Sequence, residues 1–322
     1  LIFAAILFVS LAGAIGYVAW AAQRDDRTVP PSSRESLARM TAEPHVVFAH
    51  IENGRSVEEV TLARLDHPNG RRVTTPLRCA RVHVAAARGL CLVPEDGAFK
   101  RAFTVKIFGA GFKTLRKIDA AGLPSRARVS PDGRYGSTTA FVSGHSYAQE
   151  NFATEALIID MARGKVIADL EKDFTVTRDG KEIKEVDFNF WGVTFARDSN
   201  RFYATLRTGD RTFLLEGDVA ARRARVIREN AECPSISPDN TRVAYKKLVR
   251  GTWRFHVLDL RTGSETPLVD TNGVDDQLEW LDNERVLYGS SPPPAVWVIR
   301  ADGTGAPRQF LTNGLSPAIV RQ

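Results

Sequence analysis

CPSISPDNTRVAYKKLVRGTWRFHVLDLRTGSETPLVD, residues 233–270, is the stretch whose reading decides the fold. Within it Ser237-Pro238-Asp239-Asn240 lies between two apolar runs. Proline pre-sets φ at the second place of a type I turn, the aspartate bonds nearby backbone, and asparagine tolerates a left-handed fourth place, so a short bulged hairpin is expected. A second hairpin is expected at Asp259-Leu260-Arg261-Thr262-Gly263. Between the turns apolar and polar residues alternate, as in Arg242-Val243-Ala244-Tyr245, the period of a half-buried strand. One unit is therefore four short antiparallel strands.

The unit recurs along the chain. Turns of the first kind stand at Ser130-Pro131-Asp132-Gly133, Ala196-Arg197-Asp198-Ser199, Ser237-Pro238-Asp239-Asn240 and Trp280-Leu281-Asp282-Asn283, with Asp-to-Asp spacings of 66, 41 and 43. Turns of the second kind stand at Asn69-Gly70, Gly109-Ala110-Gly111, Arg163-Gly164, Ala221-Arg222, Thr262-Gly263 and Thr304-Gly305. A period of about 42 residues with four strands per unit is the signature of propeller blades, which stack radially because no blade buries both faces alone. Blades are expected at 45–77, 78–121, 122–172, 187–230, 231–271 and 272–314. The first opens on what reads as a second strand, Val46-Val47-Phe48-Ala49, and the tail Leu315-Ser316-Pro317-Ala318-Ile319-Val320 reads as a spare inner strand. Setting that tail inside the first blade closes the ring and removes exposed sheet edges. The expected fold class is all-β: a six-bladed β-propeller of four-stranded antiparallel blades over 45–322, closed by its C-terminal strand.

Residues 1–22 carry no charge. At about 1.5 Å per residue they are long enough to cross a hydrocarbon core of ~30 Å as a helix, and a transmembrane anchor is expected. Ala19-Trp20-Ala21 also offers a small-x-small cleavage site, so a signal segment is the alternative. Residues 23–44, with Pro30-Pro31-Ser32-Ser33 near their centre, read as a linker in which Ser36 to Met40 forms a helical turn. The expectation is a single-pass protein of the cell membrane with its propeller extracytoplasmic, or a secreted one if the segment is cleaved. Lys plus Arg exceeds Asp plus Glu by 44 − 38 = 6, which suits anionic lipid, envelope polymer or acidic protein. Scattered basic residues without a reader motif exclude nucleic acid as a partner. The propeller is expected to be monomeric.

The Ser-Pro-Asp-Gly turn after an apolar inner strand, then strands such as Arg242-Val243-Ala244-Tyr245 and Val257-Leu258-Asp259-Leu260 before Thr262-Gly263, resembles the TolB-like propeller repeats. The resemblance covers roughly residues 45 to 320 and is strongest in the third, fifth and sixth blades. Together with the apolar N-terminus it implies a membrane-anchored TolB-like protein of a bacterium with an Arg-rich proteome; arginine outnumbers lysine 34 to 10. The chain departs from TolB in lacking a separate α/β domain ahead of the propeller, and no role in a Tol-type complex is carried over. The resemblance also implies a second class of activity, since some TolB-like propellers are polysaccharide lyases using channel-lining histidines and a metal.

In a four-stranded blade, the connections between second and third strands and between blades share one face, opposite the hairpin turns. The longest additions, Ser143 to Ala153 and Glu171 to Phe190, are both assigned to that loop face, as are Leu248 to Thr252 and Ser290 to Pro294. Long loops on a rigid scaffold are where binding is usually placed. His145, Tyr147, Glu150, Asp187, Asn189 and Trp191 are the binding candidates, because imidazole, carboxylates and aromatics coordinate metals or stack on sugars and peptides. The competing reading packs Phe190 and Trp191 at the start of an inner strand and leaves the polar residues as ordinary loop. Gly144-His145-Ser146-Tyr147-Ala148 is not a nucleophile elbow, which needs a strand-to-helix turn. No zinc-binding spacing of histidines occurs. His83 and His256 read as the only strand-borne histidines, each more simply a satisfied core or surface residue. No catalytic residue, metal ligand or cofactor is assigned. The expected function is a non-enzymatic binding scaffold for an envelope protein or polymer; the alternative is a metal-assisted carbohydrate-active lyase or hydrolase using the channel.

Cys79, Cys91 and Cys233 form an odd set. A hairpin turning at Val84-Ala85-Ala86 sets Cys79 opposite Cys91, within the roughly 5.5 Å Cα separation of a disulfide. A hairpin turning at Ala86-Ala87-Arg88-Gly89 separates them. Both registers are open, and the first leaves Cys233 as a free thiol.

Overall fold

The computed structural model describes residues 31–51, 58–95, 101–147, 149, 151–269, 271, 273–274, 276–290 and 292–321. The expected anchor at 1–22, the first part of the linker and Glu150 lie outside these residues. Among the described residues no helix is long and apolar enough to cross a membrane.

Six sheets, each built on four antiparallel strands, are arranged as blades. Blade 1 holds β1 (His45–His50), β2 (Glu58–Arg64) and β3 (Arg72–Cys79), with the C-terminal β26 (Gly314–Val320) as its innermost strand. Blade 2 is β4 (Arg81–Ala85), β5 (Arg88–Pro94), β6 (Ala102–Gly109) and β7 (Thr114–Ala121). Blade 3 is β8 (Leu123–Val129), β9 (Tyr135–Ser143), β10 (Ala153–Asp160) and β11 (Lys165–Asp169). After the short helix α2 (Leu170–Asp173) and strands β12 (Thr175–Arg178) and β13 (Lys181–Glu182), blade 4 is β14 (Asn189–Phe195), β15 (Arg201–Thr208), β16 (Arg211–Asp218) and β17 (Arg223–Glu229). Blade 5 is β18 (Glu232–Ile236), β19 (Arg242–Val249), β20 (Thr252–Asp259) and β21 (Glu265–Pro267). Blade 6 is β22 (Glu279–Trp280), β23 (Arg285–Ser290), β24 (Ala295–Arg300) and β25 (Arg308–Thr312).

Closure follows from the sequence at both ends. β26 pairs with β1, Val46 opposite Ile319 and Val47 opposite Ala318. Arg321, just past β26, then donates to the carbonyls of Trp280 and Leu281 in blade 6. The inner-strand turns link neighbouring blades. Their fourth residues Gly133, Ser199 and Asn240 have left-handed φ of 70°, 59° and 60°. Where that residue has a polar side chain, it accepts a backbone N–H from the preceding blade's turn: Ser199 from Asp132 at 3.3 Å, Asn240 from Arg197 at 3.1 Å and Asn283 from Asp239 at 3.1 Å. Asparagine or serine at the fourth place thus serves the ring as well as the turn.

Three details depart from expectation. The linker helix, α1 (Pro31–Thr41), is longer than one turn; it begins on a proline, whose missing N–H is harmless in a first turn, and buries Leu37 and Met40 against blade 1. The stretch from Glu171 to Phe190 is not simply a loop: β12 runs parallel to β17 and extends blade 4 to six strands at its outer edge. Thr175-Val176-Thr177-Arg178 alternates like any edge strand, and Val176 is buried on the blade's face. His83 and His256 are not the only histidines on strands, since β1 begins and ends with His45 and His50.

Cys79 and Cys91 are bonded, with Cα atoms 5.3 Å apart. The turn of blade 2 is nevertheless the later of the two registers, with Ala86 and Ala87 both at positive φ, Ala85 opposite Arg88 and Val82 opposite Cys91. Cys79 belongs to the outer strand of blade 1, so the bridge joins two blades across their interface. Cys233 is a buried free thiol on β18.

Candidate binding site at the mouth of the channel

The inner strands enclose two cavities in line along the channel. The larger, of about 470 Å³, opens among Arg81, Arg126, Asp276, Gly289, Ser290 and Ser316 on the loop side. The smaller, of about 260 Å³, opens among the hairpin turns at Ala86, Pro131, Arg197 and Pro238. His83, Arg128 and Glu279 line both and form the waist between them. These three come from blades 2, 3 and 6 because channel-facing positions alternate along each inner strand.

Arg128 ties the waist together. Its guanidinium is 3.0 Å from His83 Nε2, donates to the Leu278 carbonyl at 3.2 Å and forms an ion pair with Glu279. Val129 N–H donates to His83 Nδ1 at 3.1 Å, and His83 Nε2 lies 3.8 Å from Glu279 Oε2. Burial, and then the neighbouring Arg128 charge, lower the His83 pKa, so its ring is neutral. Burial would raise Glu279, but the Arg128 charge and the His83 contact outweigh it and hold the carboxyl at about 2.

At the loop-side mouth Arg81 donates to the Ser125 carbonyl at 2.6 Å and to the Ala80 carbonyl at 2.9 Å. Arg126 donates to the same Ser125 carbonyl at 3.0 Å. Burial lowers the Arg81 pKa first, and the Arg126 charge lowers it further. Asp276 is the carboxylate that offsets them, and it also accepts the Gly289 N–H at 2.7 Å. Three arginines therefore face two carboxylates around this cavity, Asp276 and Glu279, among the described residues. That balance favours an anionic group.

The addition after β9 reaches this mouth through one side chain. Tyr147 OH lies 2.5 Å from Ser125 Oγ, and the Arg126 guanidinium sits 5.3 Å over the Tyr147 ring. Tyr147 also stacks on Trp191 at 4.8 Å, and Phe152 meets Trp191 edge-on at 5.6 Å. Phe141 completes the cluster. Burial raises the Tyr147 hydroxyl far above its ordinary value, so it stays protonated. Arg207 of blade 4 lies 4.9 Å over Phe152 and donates to the Gln149 carbonyl at 3.3 Å.

The sequence candidates do not form one cluster. Trp191 is only 1% exposed and anchors the aromatic group. Tyr147 joins that group to the channel rim. His145 is exposed, with its own backbone N–H held by Gln149 Oε1 at 3.0 Å. Asp187 accepts from Thr208 Oγ1 and from the Gly209 N–H, fixing the loop before blade 4 onto the β15–β16 turn. Asn189 accepts the Thr154 N–H at 2.8 Å, joining blade 4 to blade 3. Beside it Glu171 accepts from Thr154 Oγ1, Ala156 N–H and Phe190 N–H at 3.1, 2.9 and 3.0 Å, and burial pushes its carboxyl up to about 8 against those donors. His256 lies on the third strand of blade 5 beside Tyr245. Among the described residues no three His, Cys, Asp or Glu side chains are grouped as metal ligands would be. The channel arginines and Glu279 were missed; the available signal was charge at alternate places of an inner strand, Arg126-Ala127-Arg128-Val129.

Fold and channel define a class, the closed six-bladed β-propeller. Within it, TolB from Acinetobacter baumannii is similar over 86% of this chain and 67% of its own, at 14% identity and a TM-score of 0.59. A chain of the nidogen/laminin complex is similar over 86% of this chain and 98% of its own, at 10% identity and a TM-score of 0.54. The tricorn protease is similar over 85% of this chain but 30% of its own, at 11% identity and a TM-score of 0.50. At such identities the likeness is one of fold alone. No family model matches the sequence, and no curated protein does.

Proposed function

We propose that the protein is a non-enzymatic binding scaffold, held at a membrane by residues 1–22 with its propeller extracytoplasmic. It engages an envelope protein or polymer at the loop face around the channel mouth. The supporting observation is Tyr147, which brings the 144–152 addition onto the rim of an arginine-lined cavity. An acidic side chain or other anion of the partner entering that cavity meets Arg81 and Arg126 in a partly desolvated setting, where charge-assisted hydrogen bonds are strong. His83 and Glu279 are what a carbohydrate-active reading would use. Both are engaged by Arg128, Glu279 in an ion pair and His83 at 3.0 Å, which weighs toward a structural role for them.

The test is photo-crosslinking in cells with the intact chain. Arg81→Ser combined with Arg126→Ser should remove loop-face adducts from the folded protein. Undiminished adducts in a folded double variant would contradict the reading.

A further inference from the structure

We propose that the hairpin-turn face of the propeller lies against an anionic lipid surface, so that the loop face points away from it. The proposal rests on the membrane placement above only for how the chain reaches the bilayer; charge and chain path carry the choice of face.

The charge is arranged by the fold. On this face the turn aspartates are occupied locally: Asp132, Asp239, Asp259, Asp282 and Asp302 accept N–H groups of their own turns. Nearby arginines neutralise several of them, as in Arg134–Asp132, Arg201–Asp198, Arg242–Asp239, Arg285–Asp282 and Arg300–Asp302. Beside those pairs stands a second set, of which Arg223 and Arg261 are near the turn aspartates Asp218 and Asp259 of their own blades. Arg71, Lys113, Lys165, Arg223, Arg261 and Arg308 are all exposed, and each lies in or directly after the turn between the third and fourth strands of its blade. There is one in every blade, so six cations ring the rim of one face.

The chain path points the same way. α1 packs Leu37 and Met40 on blade 1, Ser36 accepts from Arg71 in the hairpin turn at 3.0 Å, and Leu65 N–H just past β2 donates to the Pro44 carbonyl at 3.1 Å. The N-terminal part of the chain therefore joins the propeller on the hairpin-turn side. A ring of basic residues within a Debye length of anionic headgroups is attracted by the negative surface potential, an attraction that salt weakens.

The experiment reconstitutes the full chain in lipid nanodiscs of phosphatidylglycerol or phosphatidylcholine, with a benzophenone side chain at Lys113 or, in a separate sample, at His145. Lipid adducts are expected at position 113 in phosphatidylglycerol and not at 145. They should fall roughly tenfold in phosphatidylcholine, in high salt, or on Arg223→Glu, Arg261→Glu and Arg308→Glu together. Intact mass with the Cys79–Cys91 bond and an unchanged melting temperature establish that the triple variant is folded. Adducts favouring 145, or adducts at 113 indifferent to lipid charge, would overturn the proposal. So would protection of the rim by soluble polyphosphate without any lipid adduct, which would assign the ring to a polymer. If the chain does not enter the discs, the tethering fails separately, and the same probes with phosphatidylglycerol vesicles decide the face.

Discussion

Two additions interrupt the repeat, and they fold in opposite directions. The addition after β9 turns inward at its described residues: Tyr147 and Phe152 pack on Trp191, and Tyr147 reaches the channel rim. Residues 174–182 turn outward, and β12 and β13 extend the edge of blade 4. The difference lies in residue pattern. Aromatics spaced five apart, with no strand alternation between them, need a cluster to bury in. Alternating Thr175-Val176-Thr177-Arg178 needs only a free sheet edge, which blade 4 supplies. An addition of the first kind can shape a binding site, whereas one of the second kind protects an edge.

Cutting each addition at its anchor separates the two roles. Trp191→Ala removes the surface on which Tyr147 and Phe152 rest, and a loss of about 3–5 kcal/mol is expected by chemical denaturation, together with loss of loop-face adducts. Phe174→Ala removes the edge-on contact with Phe202; the expected loss is about 3 kcal/mol, with adducts retained by the folded fraction. Equal effects of both on partner contact would break the distinction.

A smaller effect is expected where the additions meet. Glu171→Ala leaves the Ala156 and Phe190 N–H groups without their acceptor, a loss of roughly 1–3 kcal/mol in thermal or urea unfolding. The pH dependence sharpens this. A carboxyl whose folded pKa, about 8, lies above its unfolded value binds its proton more tightly when folded. Its contribution is therefore full below the unfolded value of about 4 and fades as pH rises toward 8. The wild type should lose stability across that window by more than Glu171→Ala does; parallel curves would contradict the assignment. The smallest effect belongs to the regular repeat. Asn240→Gly keeps the left-handed turn but deletes the acceptor for Arg197 N–H, and about 1 kcal/mol is expected.

What the sequence revealed tracks how local the cause was. Ser237-Pro238-Asp239-Asn240 and its counterparts specify their own backbone, so blade number, the four regular strands of each blade and closure by residues 314–320 were legible, while the two added strands of blade 4 were not. Contacts between blades were not. The Cys79–Cys91 pairing was considered within one hairpin, yet it forms across two blades. Arg81, Arg126, Arg128 and Glu279 are ordinary strand residues until a ring closes around them. Asp187 and Asn189 have the chemistry of ligands, but their oxygens are taken up by backbone N–H groups and a hydroxyl that only the folded chain brings near.

The most direct measurement compares the two additions in one experiment: photo-crosslinking in cells from His145, on the inward addition, and from Lys181, on the outward one. The expected result is a discrete partner adduct from 145 and none from 181. Adducts from 181 alone would place the binding surface on the outer edge of blade 4 and contradict the loop-face account.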